Sequence, residues 1–256
     1  MAAPQPIRTS PLTAAVRMNW DNLLFLHWRI DPAIMRPLVP AELDLDLHDG
    51  EAWVGLVPFR MAGCSFRGVP PFPGLTNFFE CNVRTYARYR GLPGVWFFSL
   101  DAQTRLPVLG GRHLWSLNYV HSRFEVKSEG DTTDYRLDRR RGPWAAGRTH
   151  IRLRIGDPLP TSTPDSLPHF LTERYWLFTR RRGRILAGQV QHIPWPLHSA
   201  ELLHLDDTLI AATGLPASLT TQPPAVILAS PHIAVEGFAL RDPPSGSEWL
   251  GTMPSP

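Results

Sequence analysis

Asn77–Arg90 reads NFFECNVRTYARYR. Successive side chains of a strand point to opposite faces, so this stretch separates cleanly into two sets. Phe79, Cys81, Val83, Thr85 and Ala87 form one face, and Phe78, Glu80, Asn82, Arg84, Tyr86 and Arg88 form the other. The first set is small and apolar and suits a core. The second mixes aromatic with ionisable groups. Gly91–Leu92–Pro93–Gly94 follows as a turn, so the strand is expected to form a hairpin with Val95–Leu100 (VWFFSL).

Outward from this hairpin, strand signals dominate. Trp20–Trp28 (WDNLLFLHW) is short and almost wholly apolar, as a buried strand would be. Pro32–Leu38 is expected to be a short helix, with Asp31 as N-cap and Pro32 at the first helical position. Glu51–Met61 reads as a strand with Pro58 at an edge or bulge. Arg112–Val126 is expected to be a further long strand region, and Tyr135–Arg139 with Arg148–Ile155 another hairpin. Ser166–Leu171 and Asp206–Thr213 read as short helices, with Thr172–Phe178 extended after the first and Gly214 ending the second. Arg184–Ile193 reads as a strand, and Ala225–Val235 as strands around Pro231. Proline (27) and glycine (19) are frequent in the 256 residues, which disfavours long helices. Many short strands with few helices imply a mainly β (α+β) protein, an antiparallel barrel or sandwich. We divide it into a proline-rich tail over residues 1–15, one domain over 16–240 and a C-terminal tail over 241–256.

Composition narrows the function. A formal charge of +3 lacks the one-sided basicity of a dedicated nucleic-acid binder. Arg139–Arg140–Arg141 and Arg180–Arg181–Arg182 are expected at hairpin tips as solvated loops. Cys64 and Cys81 match no metal spacing and no disulfide framework, and no secretory segment or membrane span is visible. A cytoplasmic location and no membrane partner are the expectation. There is no P-loop, GxGxxG, HExxH or GxSxG. His192, His198 and His204 are evenly spaced, but roughly 20 Å separates neighbours on an extended strand, so no metal site is expected. No cofactor is expected either.

Candidate chemistry lies in polar residues inside apolar strands. Glu80 follows two phenylalanines and shares a face with Arg84. A buried carboxylate has to be paired, protonated or hydrogen-bonded. Arg112 follows Gly110–Gly111, Asp101 closes Phe97–Leu100, His27 interrupts Leu23–Trp28, and His192 precedes Ile193–Pro194–Trp195. Each has a structural reading as a hydrogen-bonded core residue. The site reading depends on several of them converging in one barrel.

These phrases carry a resemblance. Leu23–Trp28, Ala52–Trp53–Val54 with Val57–Pro58–Phe59, Glu80–Tyr86, Gly94–Ala102, Glu173–Arg174–Tyr175 and His192–Leu197 resemble the YqjF-like family of uncharacterised bacterial proteins. That family in turn resembles the acetoacetate decarboxylase-like superfamily. The resemblance implies a cone-like antiparallel β barrel around a small-molecule cavity. The decarboxylases carry Gly-Arg-Glu followed by Pro-Lys-Lys, with Tyr-x-Glu upstream, and one of those lysines forms a Schiff base. Here Gly111–Arg112 matches, but His113 replaces the Glu. Tyr119 and Val120 fall at the two lysine positions, and Phe78–Phe79–Glu80 resembles Tyr-x-Glu. The decarboxylases' N-terminal active-site arginine has no clear counterpart near Asn19–Asp21.

A phenol cannot form an iminium. The only lysine among 26 basic residues, Lys127, lies eight residues past Tyr119, more than about 20 Å along a strand. Schiff-base decarboxylation is therefore not expected. The reading that follows is a barrel binding a carboxylate or oxo ligand, with Arg112 or Arg84 clamping the anion. His27, Asp101 and His192 are the further ligand-binding candidates. The alternative is a lyase, isomerase or hydratase with Glu80 as general acid or base and Tyr119 as oxyanion donor. The other partner considered is a second copy in a homo-oligomer.

Overall fold

The computed structural model describes residues 13–70, 72, 75–140 and 145–244. The expectations for residues 1–12, Arg141 and residues 245–256 lie outside it. Among the described residues thirteen strands run in chain order as β1 (Val16–Ile30), β2 (Asp44–Leu45), β3 (Ala52–Phe66), β4 (Phe78–Tyr89), β5 (Leu92–Ala102), β6 (Tyr119–His121), β7 (Arg123–Glu129), β8 (Thr132–Arg139), β9 (Gly147–Pro158), β10 (Trp176–Arg181), β11 (Arg184–Gln191), β12 (His198–Asp207) and β13 (Val226–Gly237). Three short helices interrupt them: α1 (Pro32–Met35), α2 (Arg105–Leu114) and α3 (Leu167–Thr172). The order β1-β3-β4-β5-β10-β11-β13 closes into a ring because β13 pairs back onto β1. On its other edge β13 pairs β11 at Glu236 and Gly237 but β12 at Leu228 and Ala229. From β12 the sheet continues through β9, β8 and β7. All pairs are antiparallel except β5 with β6 and β10.

Bulges decide which side chains face the inside of the ring. β1 has one extra residue against β3 between Asp21 and Leu26, where Asn22 adopts φ 49°. An extra residue reverses the alternation, so Val16, Met18 and Trp20 point the same way as Leu23 beyond it. Two prolines meet this position. Pro58 of β3 lies across the interrupted stretch, and Pro231 of β13 falls between the pairs Asp21–His232 and Leu23–Ser230. A strand proline has no N–H to give, and the bulge removes the need for one. In β3, Gly63 (φ 60°) makes a second reversal, where the register shifts between Arg17 and Asn19 of β1. Val57, Phe59 and Met61 then share the inner side with Cys64 and Phe66. In β5 a shift opposite Val83–Arg84 brings Val95 and Phe97 inward together with Leu100. β4 keeps a continuous register with β3, and Phe78, Glu80, Asn82 and Arg84 all face in.

The opposite face of β4 gives Cys81, Val83 and Ala87 to the main core. There Leu24, Leu26 and Leu56 of the ring meet Tyr135, Leu137, Ile151 and Leu153 of β8 and β9. That core also holds an ion pair. Arg139 and Asp101, both fully buried, are joined by two guanidinium hydrogen bonds, and Ser122 donates to Asp101 at 2.6 Å.

The expected first helix is present, with the Asp31 carboxylate accepting from Ala33 N at 2.7 Å and a 3-10 turn over Arg36–Leu38. Ser166 likewise caps α3. Four readings need correction. Arg112–Val126 is not one strand: it holds the end of α2, a left-handed turn at Ser116, then β6 and most of β7. Pro107 sits in the first turn of α2, where its missing N–H costs nothing. Residues around Asp206 remain in β12, and only Ala211–Thr213 turns, as a 3-10 helix ended by Gly214. Ala225–Val235 forms one strand through Pro231. Arg139 is no loop residue. It shares the inward face of β8 with Thr133, Tyr135 and Leu137, which the alternation from Tyr135 onward already indicates.

Removing one member of a buried ion pair strands the other's charge. Arg139→Met is therefore expected to lower stability by ~3–5 kcal/mol. Urea unfolding measures this, with partial recovery expected in the Arg139→Met/Asp101→Asn double variant. A loss below ~1 kcal/mol would contradict the assignment.

Candidate functional site

The ring encloses a cavity of about 990 Å³. Most of its wall is apolar, from Leu23, Val57, Phe59, Phe78, Phe97 and Leu100 among others. Polar groups enter from β4 and also from Arg67, Tyr119, Arg174 and Gln189. Glu80, Asn82 and Arg84 occupy three successive inward positions.

Glu80 is 2% exposed. Its Oε2 accepts a hydrogen bond from the Tyr119 hydroxyl at 2.9 Å. Burial pushes its carboxyl from 4.5 up to about 8, against the opposing pull of the Tyr119 hydrogen bond. At neutral pH the group is mostly protonated and can donate to a ligand oxygen. Burial drives the Tyr119 phenol far above its usual range, and Glu80 adds to this wherever it is ionised, so the phenol remains a donor. The Cys64 thiol lies beside the pair and is pushed up to about 12 by burial and by Glu80, and stays protonated.

Tyr119 is held from two sides. A Cβ on Gly111 of α2 would stand 2.1 Å from the Tyr119 ring, so only glycine lets helix and phenol approach this closely. Arg112, the next residue, donates from Nε to the Tyr119 carbonyl at 2.6 Å. It is a positioning residue, and its side chain does not reach the cavity wall.

Arg84 is the second polar pole. Its Nη2 donates to the Leu171 carbonyl at the end of α3 (3.0 Å) and approaches the Tyr86 hydroxyl (3.4 Å). The guanidinium lies over the Phe25 and Tyr86 rings at 5.6 and 5.7 Å. Its Nε is buried without a hydrogen-bond partner. Among the described residues no carboxylate stands within ion-pair distance of Arg84. The neighbouring cation, Arg174, is different: Asp46 holds it at 2.6 Å. Between the poles, the Asn82 side-chain oxygen is also buried without a partner.

His27 supports Arg84 from beneath. The Tyr86 hydroxyl donates to Leu171 O (2.7 Å), so His27 Nε2, 2.7 Å from that hydroxyl, carries a proton and donates to it. Burial, and secondarily the Arg84 charge, keep the ring neutral. His192 is also neutral through burial. It lies between Tyr175 (4.7 Å) and Trp195 (4.9 Å), behind the cavity wall, and its Nδ1 donates to Ile193 O. Asp101 points to the opposite core, paired with Arg139. The structure thus brings Glu80, Tyr119 and Arg84 to one cavity. His27 and Arg112 stand just behind it, His192 is in the aromatic wall, and Asp101 is elsewhere.

Sequence reading passed over three contributors. Asn82 was legible, since it shares the Glu80 face. Glu173 fixes the wall residue Trp195 by accepting from its backbone N–H at 2.9 Å, a contact with no local signal. Gly111 stands out only once α2 is known to be a helix. Lys127 is exposed on β7, paired across from Asp134, and does not line the cavity. Among the described residues no group of three or more His, Cys, Asp or Glu is placed to hold a metal.

Comparison with known proteins agrees with this architecture. The DUF2071 family, described as an uncharacterized conserved protein, matches residues 17–234. The uncharacterized protein YqjF of Bacillus subtilis is 40% identical over 200 residues, covering 78% of this chain and 82% of that protein. Among solved structures, acetoacetate decarboxylase from Legionella pneumophila is similar with TM-score 0.60 and 15% identity, covering 94% of this chain and 93% of its own. The enduracididine biosynthesis enzyme MppR complexed with pyruvate is similar with TM-score 0.52 and 16% identity, covering 93% and 96%. These likenesses establish an acetoacetate decarboxylase-like fold.

In the fold, Glu80 retains a proton between pH 4.5 and about 8 that the unfolded chain has released. The native state binds more protons in that window, so stability falls as pH rises through it. Buried neutral His27 and His192 act in the opposite direction in both proteins, so the expected signal is the difference: the urea midpoint of Glu80→Gln should rise relative to the wild type between pH 5 and pH 8. A difference that stays constant between the two pH values would contradict a protonated Glu80.

Proposed function

The chain belongs to the DUF2071 family of uncharacterized conserved proteins, and we propose that its barrel binds a small-molecule carboxylate that also carries an oxo or hydroxyl oxygen. The observation that supports this most is Arg84. A guanidinium facing an apolar cavity without a carboxylate partner lacks the anion that its environment favours. Its planar donor fork suits a carboxylate in particular. In this reading the ligand anion meets Arg84, and the protonated Glu80 with Tyr119 offers donors to a ligand oxygen. Asn82 lies between them. The ligand's nonpolar body displaces water from the aromatic wall.

The same residues argue against covalent capture. The resemblance sets a phenol, Tyr119, where the decarboxylases carry the amine that condenses with a ketone, and Lys127 does not reach the cavity. A protonated carboxyl and a neutral phenol read oxygen atoms through hydrogen bonds alone. MppR shows the same fold complexed with pyruvate, an oxo acid, which is consistent with such a ligand here.

Trp20 and Trp195 line the cavity, so intrinsic fluorescence reports occupancy. Screening 2-oxo, 3-oxo and hydroxy carboxylates beside their amides is expected to find binding only for the acids. Arg84→Met should weaken it roughly 10- to 100-fold, the equivalent of one charge-assisted hydrogen bond of about 1.5–3 kcal/mol. Arg84→Lys should recover part of the loss. Amides binding as well as acids, with no effect of Arg84→Met, would refute the reading.

A further inference from the structure

Nine large hydrophobic residues are exposed among those described, and five of them, Val69, Phe72, Leu106, Leu109 and Leu114, line this one cavity. Scattered surface leucines need no explanation, but a cluster around one opening marks a binding surface. Leu106, Leu109 and Leu114 belong to α2, whose Gly111 lies on the Tyr119 ring. Val69 and Phe72 precede β4, whose first residue is Phe78. The collar therefore surrounds the Glu80–Tyr119 end. Arg84 lies four residues further in, about 13 Å along the strand. Its tip turns toward Tyr86, further again from Glu80.

We infer that the ligand is an amphiphile: a carboxylate at Arg84 with a hydrocarbon chain that passes Glu80 and Tyr119 and leaves through the leucine collar. This rests on the carboxylate reading above and specifies its chemical class. An alkyl chain advances roughly 1.3 Å per carbon, from a bond of about 1.5 Å. Spanning the ~13 Å between the two poles takes on the order of ten carbons. The volume of about 990 Å³ lies at the upper end of small-molecule cavities, about 300–1,000 Å³. An acid of three or four carbons would leave most of it to water, which the apolar wall does not hold. Asn82, unpartnered and midway along the track, lies where an oxygen on the chain would pass.

Calorimetric titration with straight-chain carboxylates from hexanoate to tetradecanoate, below their micellar concentrations, tests this on the wild-type chain. Affinity should rise about two- to fourfold per methylene, the value of burying one CH₂, and level off once the chain clears the collar. The Leu109→Glu/Leu114→Glu variant should reduce the gain for the longest acids at least fivefold and leave hexanoate unchanged. Arg84→Met should weaken every acid in the series. A flat series in which Arg84→Met still weakens binding would overturn the amphiphile and leave the carboxylate reading standing. Alcohols of equal length binding as well as the acids, unaffected by Arg84→Met, would overturn both. If the double Glu variant turns a dimer into a monomer while the chain-length series stays unchanged, the collar is an interface between copies and the inference fails.

Discussion

A strand presents two faces, and β4 stands between two environments that require different ones. Cys81, Val83 and Ala87 must be apolar because they meet the sheet of β8 and β9. Glu80, Asn82 and Arg84 face a cavity, where a polar group can be retained for use. Register is strongly held in such a strand, since a slip of one residue would bury Glu80 and Arg84 in the core. β4 keeps its alternation without a bulge against β3. Its neighbours accommodate it. β1, β3 and β5 each reverse their alternation once, at or near Asn22, Gly63 and Phe98, and so keep an apolar wall opposite the polar track.

The two polar poles are tuned by different physics. At Glu80 burial is the larger effect, and the carboxyl remains protonated against one phenol hydrogen bond. The Arg84 guanidinium is held by a carbonyl at the end of α3 and by two aromatic faces. Cation–π contacts and a helix C-terminus support a cation without neutralising it. Asp46 supplies Arg174 with a carboxylate and Asp101 does so for Arg139. Arg84 differs from these two in facing the cavity without one.

Much of this was legible in residues 77–100. The hairpin and the face that holds Glu80 and Arg84 follow from alternation. The cavity faces of β1 and β3 were hidden because alternation read across a bulge assigns half of each strand to the wrong side. Gly63 and Asn22 tolerate the left-handed region, but their role depends on the partner strand. The leucines of α2 were hidden for another reason. Pro107, Gly110 and Gly111 interrupt the segment and argue against a helix, and Leu114 falls within the stretch read as a strand. The Asp101–Arg139 pair joins residues far apart in sequence, and no local pattern signals it. It drew Asp101 away from the site where its position at the end of an apolar strand had suggested it.

The central claim is that Arg84 is a cation awaiting a ligand anion. A crystal structure of the protein soaked with a medium-chain 3-oxo carboxylate tests it most directly. The account requires carboxylate density within ~3 Å of the Arg84 guanidinium, with the chain running along β4 past Asn82 toward α2. Carboxylate density outside the barrel, or inside it with Arg84 still bound only to Leu171 and Tyr86, would contradict it.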